Sequence, residues 1–583
     1  MTLALMVTVA SCSLLGTSGP RTAAERFLTA LAQGDTAAAA ATTDDPPAAT
    51  TLVNAVFDGL EHPRLTTGLE EVTDEQFSYR ATWDFGNGRV WSYLAHATLR
   101  QAGDGWQVHW APSVLHDALQ PGDGLQLRTL PATPGRDLDR GGAPLIQPGT
   151  VTLVRLDPAR TTDPNHTLNT VAPVLSRIDP SVTRASLRSA AAGATGPVTL
   201  ITLREEDAAR VEPALRDVPG IVLSEQQRRL IERGLSSPAL TELAKDQDTA
   251  GAGWQVVVVD TEGTVRTRLA GQDPAPPQDV TLTLDLHAQT AAQDALRRLD
   301  EPAALVAIRP STGEILAVAQ NPAADAEGPI AITGVFPPGS TFKVVTATAA
   351  LDAGAVTPDT VLPCPGTENI QGRQIPNDDG FDLGSVPLHT AFAHSCNTTF
   401  ARIGVGLEPT ALRRTAARLG LGTDWDVPGI TTVTGTVPDA ATPAEQVENS
   451  IGQGRVVASP FGMAMVAATV AHGRTPSPTL IQGRPGTLTR DGGEQAPLPD
   501  QLRAELATMM RETVTDGSAS QLADLPDVTG KTGTAQFGDG TRSHGWFIGT
   551  RGDLAFAVLV VGGETSRPAV DAAGRFLEAT PNP

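Results

Sequence analysis

The sequence predicts a multidomain α+β protein whose C-terminal half is an antiparallel sheet flanked by helices. Three observations carry that prediction. At 583 residues the chain exceeds a single domain, and Pro/Gly-rich stretches at 116–147 and Asp273–Pro277 divide it. Its early part runs helix, helix, then alternating runs joined by Gly86-Asn87-Gly88 and Gly103-Asp104-Gly105, which are hairpin turns. Its late part runs strands, a helical middle and strands again, the order of a sheet covered by helices.

Residues 1–19 read as a leader or anchor, 20–115 as a small α+β domain, 116–147 as a linker, 148–277 as a second module and 278–583 as the third. In the first domain Thr22–Thr43 reads as a helix with Ala24, Phe27, Leu28 and Leu31 on one face, broken at Gly34-Asp35. A short helix around Ala49–Leu60 follows, then strands at Gln76–Phe85, Arg89–Arg100 and Trp106–Trp110. The second module carries strands at Val151–Leu156, Val198–Leu203 and Gln255–Asp260, with helices at Leu168–Ile178 and Glu205–Leu215. It holds no catalytic cluster and reads as an interaction or pedestal domain. The third opens with Val280–Leu284, a helix at His287–Leu299, and a hairpin of Ala303–Ile308 and Ile315–Gln320 about Pro310-Ser311-Thr312-Gly313. Strands at Gly530–Gln536, Gly545–Gly549 and Leu554–Val561 and a helix at Ala569–Leu577 close it.

Composition narrows the function. With a net charge of −22 and a pI near 4.8, the chain is a poor match for nucleic acid. Three cysteines are too few for a disulfide framework, and their spacing fits no zinc site. No metal or cofactor motif stands out, so no cofactor is expected. Cys364 and Cys396 could pair outside the cell; spacing alone leaves that open.

The chemistry centres on Pro337-Pro338-Gly339-Ser340-Thr341-Phe342-Lys343. The prolines and glycine stop what precedes, and Ser340 opens a helix running to about Asp352-Ala353-Gly354. Positions i and i+3 share a face, so the Ser340 hydroxyl and the Lys343 amine lie side by side, a serine next to a proton acceptor. Ser340 also sits at the positive end of the helix dipole. Lysine usage sharpens the signal. The chain holds three lysines, Lys245, Lys343 and Lys531, against forty arginines. Where lysine persists, an amine whose pKa burial can lower is a candidate need that guanidinium cannot meet. Lys531 lies in Thr529-Gly530-Lys531-Thr532-Gly533-Thr534, and Ser395-Cys396-Asn397 stands between the two lysines.

Ser-x-x-Lys, Ser-x-Asn and Lys-Thr-Gly in that order resemble penicillin-binding proteins and serine β-lactamases. Phe336-Pro337-Pro338-Gly339, Ser450-Ile451-Gly452-Gln453-Gly454 and Thr534-Ala535-Gln536 add to the likeness from about Thr281 onward. Gly135–Gly142 resembles the opening segment of class B penicillin-binding proteins, with its leading Arg-Gly blurred, which makes the second module their pedestal, or dimerisation, domain. By pattern the first domain resembles the nuclear-transport-factor-2-like extension of some low-affinity members. The resemblance implies a penicillin-binding/β-lactamase-like transpeptidase domain and a serine-type D-Ala-D-Ala transpeptidase that cross-links peptidoglycan stem peptides and binds β-lactams covalently. It implies Ser340 as nucleophile, Lys343 as base, Ser395 as proton relay, Asn397 on the substrate amide and Lys531 as a positive charge. Thr532 and Thr534 would hold the substrate carboxylate, the N–H groups of Ser340 and Thr534 would form the oxyanion hole, and Gly533 would let the strand lie close to the substrate backbone. It also implies cell-wall glycosyltransferase, division or elongation partners.

A DD-carboxypeptidase shares all three motifs. A β-lactamase needs a deacylating base: no Glu-x-x-Leu-Asn lies between Asn397 and Lys531, and no tyrosine lies beyond Tyr93. A β-lactam sensor or non-catalytic scaffold is the reading from another class, against which the intact motifs stand. Near the start, Val9-Ala10-Ser11-Cys12 resembles a bacterial lipobox that would be lipidated on Cys12, and the apolar run Thr2–Leu15 suits equally an anchor helix beginning upstream. Either places the catalytic domains outside the cytoplasmic membrane.

Overall fold

The computed structural model describes residues 19–245, 251–490, 496–538 and 540–580. The expected leader with Cys12 lies outside them. The chain divides into two compact units, one of residues up to Thr133 with the 248–277 segment, the other of 134–247 with 278–583.

In the N-terminal unit three helices, Pro20–Ala32, Thr36–Ala41 and Pro46–Gly59, precede a four-stranded antiparallel meander. The break expected at Gly34-Asp35 separates the first two helices. Gly34 takes φ +70°, and the Asp35 carboxylate caps the second helix by accepting from the Ala38 N–H at 2.9 Å. The meander is Arg64–Val72, Gln76–Asp84, Val90–Ala102 and Gly105–His109. Its first strand was invisible to sequence reading because Leu65 is its one buried residue, so no alternation marks it. The core gathers Phe27, Leu31, Val53, Phe57, Trp83 and Trp91. Both tyrosines bury their rings there and donate their hydroxyls to Val114 and Leu115 carbonyls at 2.7 and 2.6 Å.

A second sheet in this unit corrects the sequence reading. Gly253–Val259, expected in the second module, is the central strand between Gly124–Leu130, expected to be linker, and Val265–Gln272. Its Val256 and Val258 complete the same core.

In the other unit, Pro144–Leu156 pairs with Val198–Arg204 and with Ile221–Ile231, and the helices Pro164–Leu175, Arg184–Ala191 and Glu205–Leu215 share one core with this sheet. The strand Ile221–Ile231, half exposed and rich in Gln and Arg, escaped sequence reading. Asp137–Leu138 pairs in parallel with Val280–Thr281, so the Gly135–Gly142 segment is built into this unit's sheet.

The catalytic half holds a five-stranded sheet in the order Ile315–Gln320, Ala303–Ile308, Leu554–Val560, Arg542–Arg551, Val528–Phe537, antiparallel throughout. Alternate residues of one strand serve two cores. Ala304, Val306 and Ile308 join the large core that includes the helices Lys343–Asp352, Pro460–His472 and Asp500–Thr515; Ala303, Leu305 and Ala307 join the core of Leu286–Leu296 and Arg567–Ala579. A sheet covered on both faces explains why its strands read as continuous apolar runs. The strand Val528–Phe537 is at the sheet's edge, and the site is built against it.

Candidate active site

Gly339–Phe342 is a tight 3-10 turn and the α-helix begins at Lys343, so Ser340 stands one turn ahead of the helix proper. The expected side-by-side placement survives: Lys343 Nζ is 3.0 Å from Ser340 Oγ. Gly339 has φ +53°, and a Cβ there would come within 2.6 Å of the Thr534 carbonyl oxygen. The turn is thus pressed against the edge strand, and Trp546 Nε1 donates to Pro337 O at 2.9 Å to hold it there.

The Ser395-Cys396-Asn397 turn closes over Lys343. Lys343 Nζ donates to the Ser395 carbonyl at 2.7 Å and to Asn397 Oδ1 at 2.6 Å, and lies 3.3 Å from Ser395 Oγ. From the other side Lys531 Nζ donates to Ser395 Oγ at 2.9 Å and to Thr532 O at 3.0 Å. Two amines therefore converge on one hydroxyl. Both lysines are completely buried, with Phe400 and Phe392 rings 5.7 and 5.6 Å from their nitrogens, while Ser340, Ser395, Asn397 and Thr534 above them are half-buried. Burial holds Lys343 well below the usual lysine pKa, the charge on Lys531 lowers it further, and Asp378 opposes weakly. Burial brings Lys531 down to about 7.

Sequence reading left one of the supports, the Cys364–Cys396 pair, open and missed the others. Ser395 adopts φ +64°, a left-handed conformation costly for a residue with a Cβ. Two tethers hold it. Cys396 forms a disulfide with Cys364. Asn377, nearly buried, accepts through Oδ1 from the N–H groups of Asn397 and Thr398 at 2.8 and 3.3 Å, while its Nδ2 donates to Pro365 O and Phe381 O. Asn377 sits in Asn-Asp-Asp-Gly, which by sequence is an ordinary surface turn. Ser518 is the second surprise: its hydroxyl is 2.5 Å from that of Thr532, which is 3 % exposed and so oriented from beneath.

Gly533 acquires a different reason from the one expected. A Cβ there would lie 2.8 Å from Pro338 O and 2.9 Å from Thr341 Cγ2, so the close approach it permits is to the protein's own nucleophile turn. All eight expected site residues, Ser340, Lys343, Ser395, Asn397, Lys531, Thr532, Gly533 and Thr534, are brought together. Among the described residues no group of three or more His, Cys, Asp or Glu side chains is placed to share a metal ion.

A two-faced antiparallel sheet with a serine–lysine pair at its edge strand defines an acyl-transfer enzyme with a serine nucleophile. Comparison with known proteins gives the family. Residues 303–578 match the penicillin binding protein transpeptidase domain, and 19–123 the NTF2-like N-terminal transpeptidase domain. The chain is 31% identical over 345 residues to the peptidoglycan D,D-transpeptidase PbpA of Mycobacterium tuberculosis, covering 50% of this chain and 69% of that one. It is 24% identical over 527 residues to the peptidoglycan D,D-transpeptidase MrdA of Acinetobacter baumannii, covering 75% and 78%. A solved structure of a peptidoglycan synthase complex that coordinates polymerization and crosslinking matches with TM-score 0.54 at 26% identity, over 79% of this chain and 92% of its own. The fold is shared with PBP2 in complex with MreC from Helicobacter pylori, at TM-score 0.56 and 18% identity over 78% and 99% of the two chains. The chain belongs to the peptidoglycan D,D-transpeptidases of the penicillin-binding protein family.

Proposed function

We propose that Ser340 Oγ attacks the carbonyl between the two terminal D-alanines of a peptidoglycan stem peptide. The carbonyl carbon bonds to Oγ, its C–N bond breaks, and D-alanine leaves. Lys343, whose pKa burial lowers, takes the hydroxyl proton; Ser395, in reach of both lysines, passes a proton to the departing amine. The N–H groups of Ser340 and Thr534 receive the oxyanion, worth ~2.7–4 kcal/mol per donor. Thr534, with Thr532 oriented by Ser518, holds the terminal carboxylate beside Lys531. Asn397 bonds the substrate amide with the N–H that Pro376 O leaves free, its other N–H donating to that carbonyl at 2.8 Å. An amine of a neighbouring stem then takes the acyl group and frees Ser340. β-Lactams acylate the same serine.

The observation that carries this reading is the 3.0 Å contact between Lys343 Nζ and Ser340 Oγ, made by a fully buried amine whose pKa burial and the charge on Lys531 lower. A fluorescent penicillin is expected to label Ser340, and Ser340→Ala to abolish labelling. With a lipid-linked stem-peptide polymer, cross-linked dimers are the expected product; trimmed monomers alone would make the enzyme a carboxypeptidase. Adduct release within seconds would favour a β-lactamase.

We further propose that these domains work outside the cytoplasmic membrane next to a glycan polymerase. The Cys364–Cys396 disulfide supports an oxidising compartment, and the similarity to a synthase complex supports the partner. Among the described residues no helix is long and apolar enough to cross a membrane. Val9-Ala10-Ser11-Cys12 supports attachment through a lipid on Cys12, and the apolar run Thr2–Leu15 supports an anchor helix. Mass spectrometry of the native N-terminus decides between them, because Cys12→Ser would lose a lipid and leave an anchor unaffected.

A further inference from the structure

The two oxyanion donors stand on separate elements, Ser340 on the nucleophile turn and Thr534 on the edge strand. One short segment, Ser450–Gly454, grips both. Toward the nucleophile it makes two bonds: Gly452 O accepts from the Gly339 N–H at 2.9 Å, and Ser450 O accepts from Thr346 Oγ1, on the nucleophile helix, at 2.7 Å. Gly452 has φ +74°, and a Cβ there would lie 2.0 Å from Gly339 O, so nothing larger fits between segment and turn. Toward the strand the half-buried Gln453 reaches the backbone of Gln536. With its amide oriented to satisfy both partners, its oxygen accepts from the Gln536 N–H at 3.0 Å and its nitrogen donates to Gln536 O at 3.3 Å.

Strand geometry gives that contact its meaning. In an antiparallel strand the N–H and C=O of one residue point to the same side, and the side alternates along the chain. The Val528–Phe537 strand pairs with Arg542–Arg551 in unbroken register. Gln536 turns its backbone outward to Gln453, so Thr534 and Thr532, two and four residues back, also turn outward. Thr532 O is taken by Lys531 Nζ. Thr534 is then the outward position between two occupied ones, and its N–H faces the turn that carries Ser340.

We propose that Gln453 is a positioning residue: it clamps Gln536 so that the Thr534 N–H keeps its aim on the acyl carbonyl, while Gly452 sets the Ser340 N–H from the same segment. It also ends the free edge, so that an incoming acyl donor pairs with Thr534 alone and cannot extend as a strand. This inference rests on the acyl-transfer reading above.

The test separates binding from chemistry in acylation by penicillin. Gln453→Met keeps the volume and removes both hydrogen bonds. It is expected to lower the acylation rate constant about 10- to 100-fold, part of what loss of an entire oxyanion donor costs. The dissociation constant of the pre-covalent complex should stay within two-fold, and the pH dependence of acylation should keep its midpoint, since the lysine pair is untouched. A boronic acid, whose tetrahedral adduct needs both donors, should lose affinity in parallel. Gln453→Glu, which can still accept from the Gln536 N–H, should recover part of the rate, and it decides the matter if the Met variant does not fold. Acylation of the Met variant within two-fold of wild type, or a loss confined to pre-covalent binding, overturns the proposal. Failure of penicillin to label Ser340 in the wild type overturns the acyl-transfer reading itself, and this one with it.

Discussion

Ser395 receives hydrogen bonds from two amines that burial keeps from being comfortably charged, and this sets the pH behaviour of the site. Protonation of Lys343 removes the base, so acylation by penicillin is expected to slow as pH falls through its pKa, which burial holds well below the usual lysine value. The charge on Lys531 lowers the pKa of Lys343. Lys531→Met removes that charge, so the acid limb of the pH–rate profile should move to higher pH. Lys343→Arg, which keeps charge and loses the base, should cost ~10²–10⁴-fold at any pH. Stability follows the same titration. A lysine whose pKa falls from 10.5 to about 7 on folding carries a cost of about 5 kcal/mol below pH 7, relieved as pH rises toward 10 because only the unfolded chain then still holds the proton. Chemical denaturation between pH 7 and 10 should show the wild type gaining stability, and Lys531→Met gaining less. A second change acts by shape. Gly533→Ala puts a Cβ 2.8 Å from Pro338 O and must part strand from turn, so acylation should drop at least about 10-fold with little change in the pH profile. Rates across pH for this variant check that.

Among elements, the Ser-x-Asn turn depends most on others. Asn377→Ala would leave the Asn397 and Thr398 N–H groups without their acceptor, at about 1–3 kcal/mol for a buried unsatisfied donor. Replacing Cys364 and Cys396 together by serine opens a 32-residue loop closure worth about 3–4 kcal/mol in the chain-entropy picture. Each change should lower Tm and slow acylation, because the turn can then relax away from Ser395's left-handed conformation. Denaturant melts with and without reductant would measure both effects, and Asn377→Asp, which keeps the acceptor, should recover most of the first. These supports mark the limit of what sequence could show. Ser340, Lys343, Ser395, Asn397 and Lys531 were legible because the chemistry demands those side chains at short, fixed spacings. Asn377 and Ser518 serve by reaching backbone and hydroxyl groups 20 and 14 residues away, a geometry no local pattern encodes. The same divide runs through the fold. Apolar strands such as Leu554–Val560 announced themselves, whereas Arg64–Val72 and Ile221–Ile231, with little buried side-chain surface, did not.

For the whole molecule, the informative error was to read the chain as three successive modules. The N-terminal unit is discontinuous: its second sheet has Gly253–Val259 at the centre, 120 or so residues beyond the rest of the unit. Cutting after Thr133 should therefore yield not a stable domain but one lacking Trp254, Val256 and Val258 from its core. Fusing residues 248–277 to that fragment through a short linker should restore cooperative unfolding, as followed by tryptophan fluorescence. The 134–247 stretch interrupts this unit, and that has a temporal meaning. A chain made from its N-terminus offers Gly124–Leu130 well before the strand that must lie against it exists, and must wait for some 130 further residues. During that wait an unpaired edge and an open apolar face are available to whatever else is near. A chaperone that recognises unpaired strands would find its opportunity at that edge.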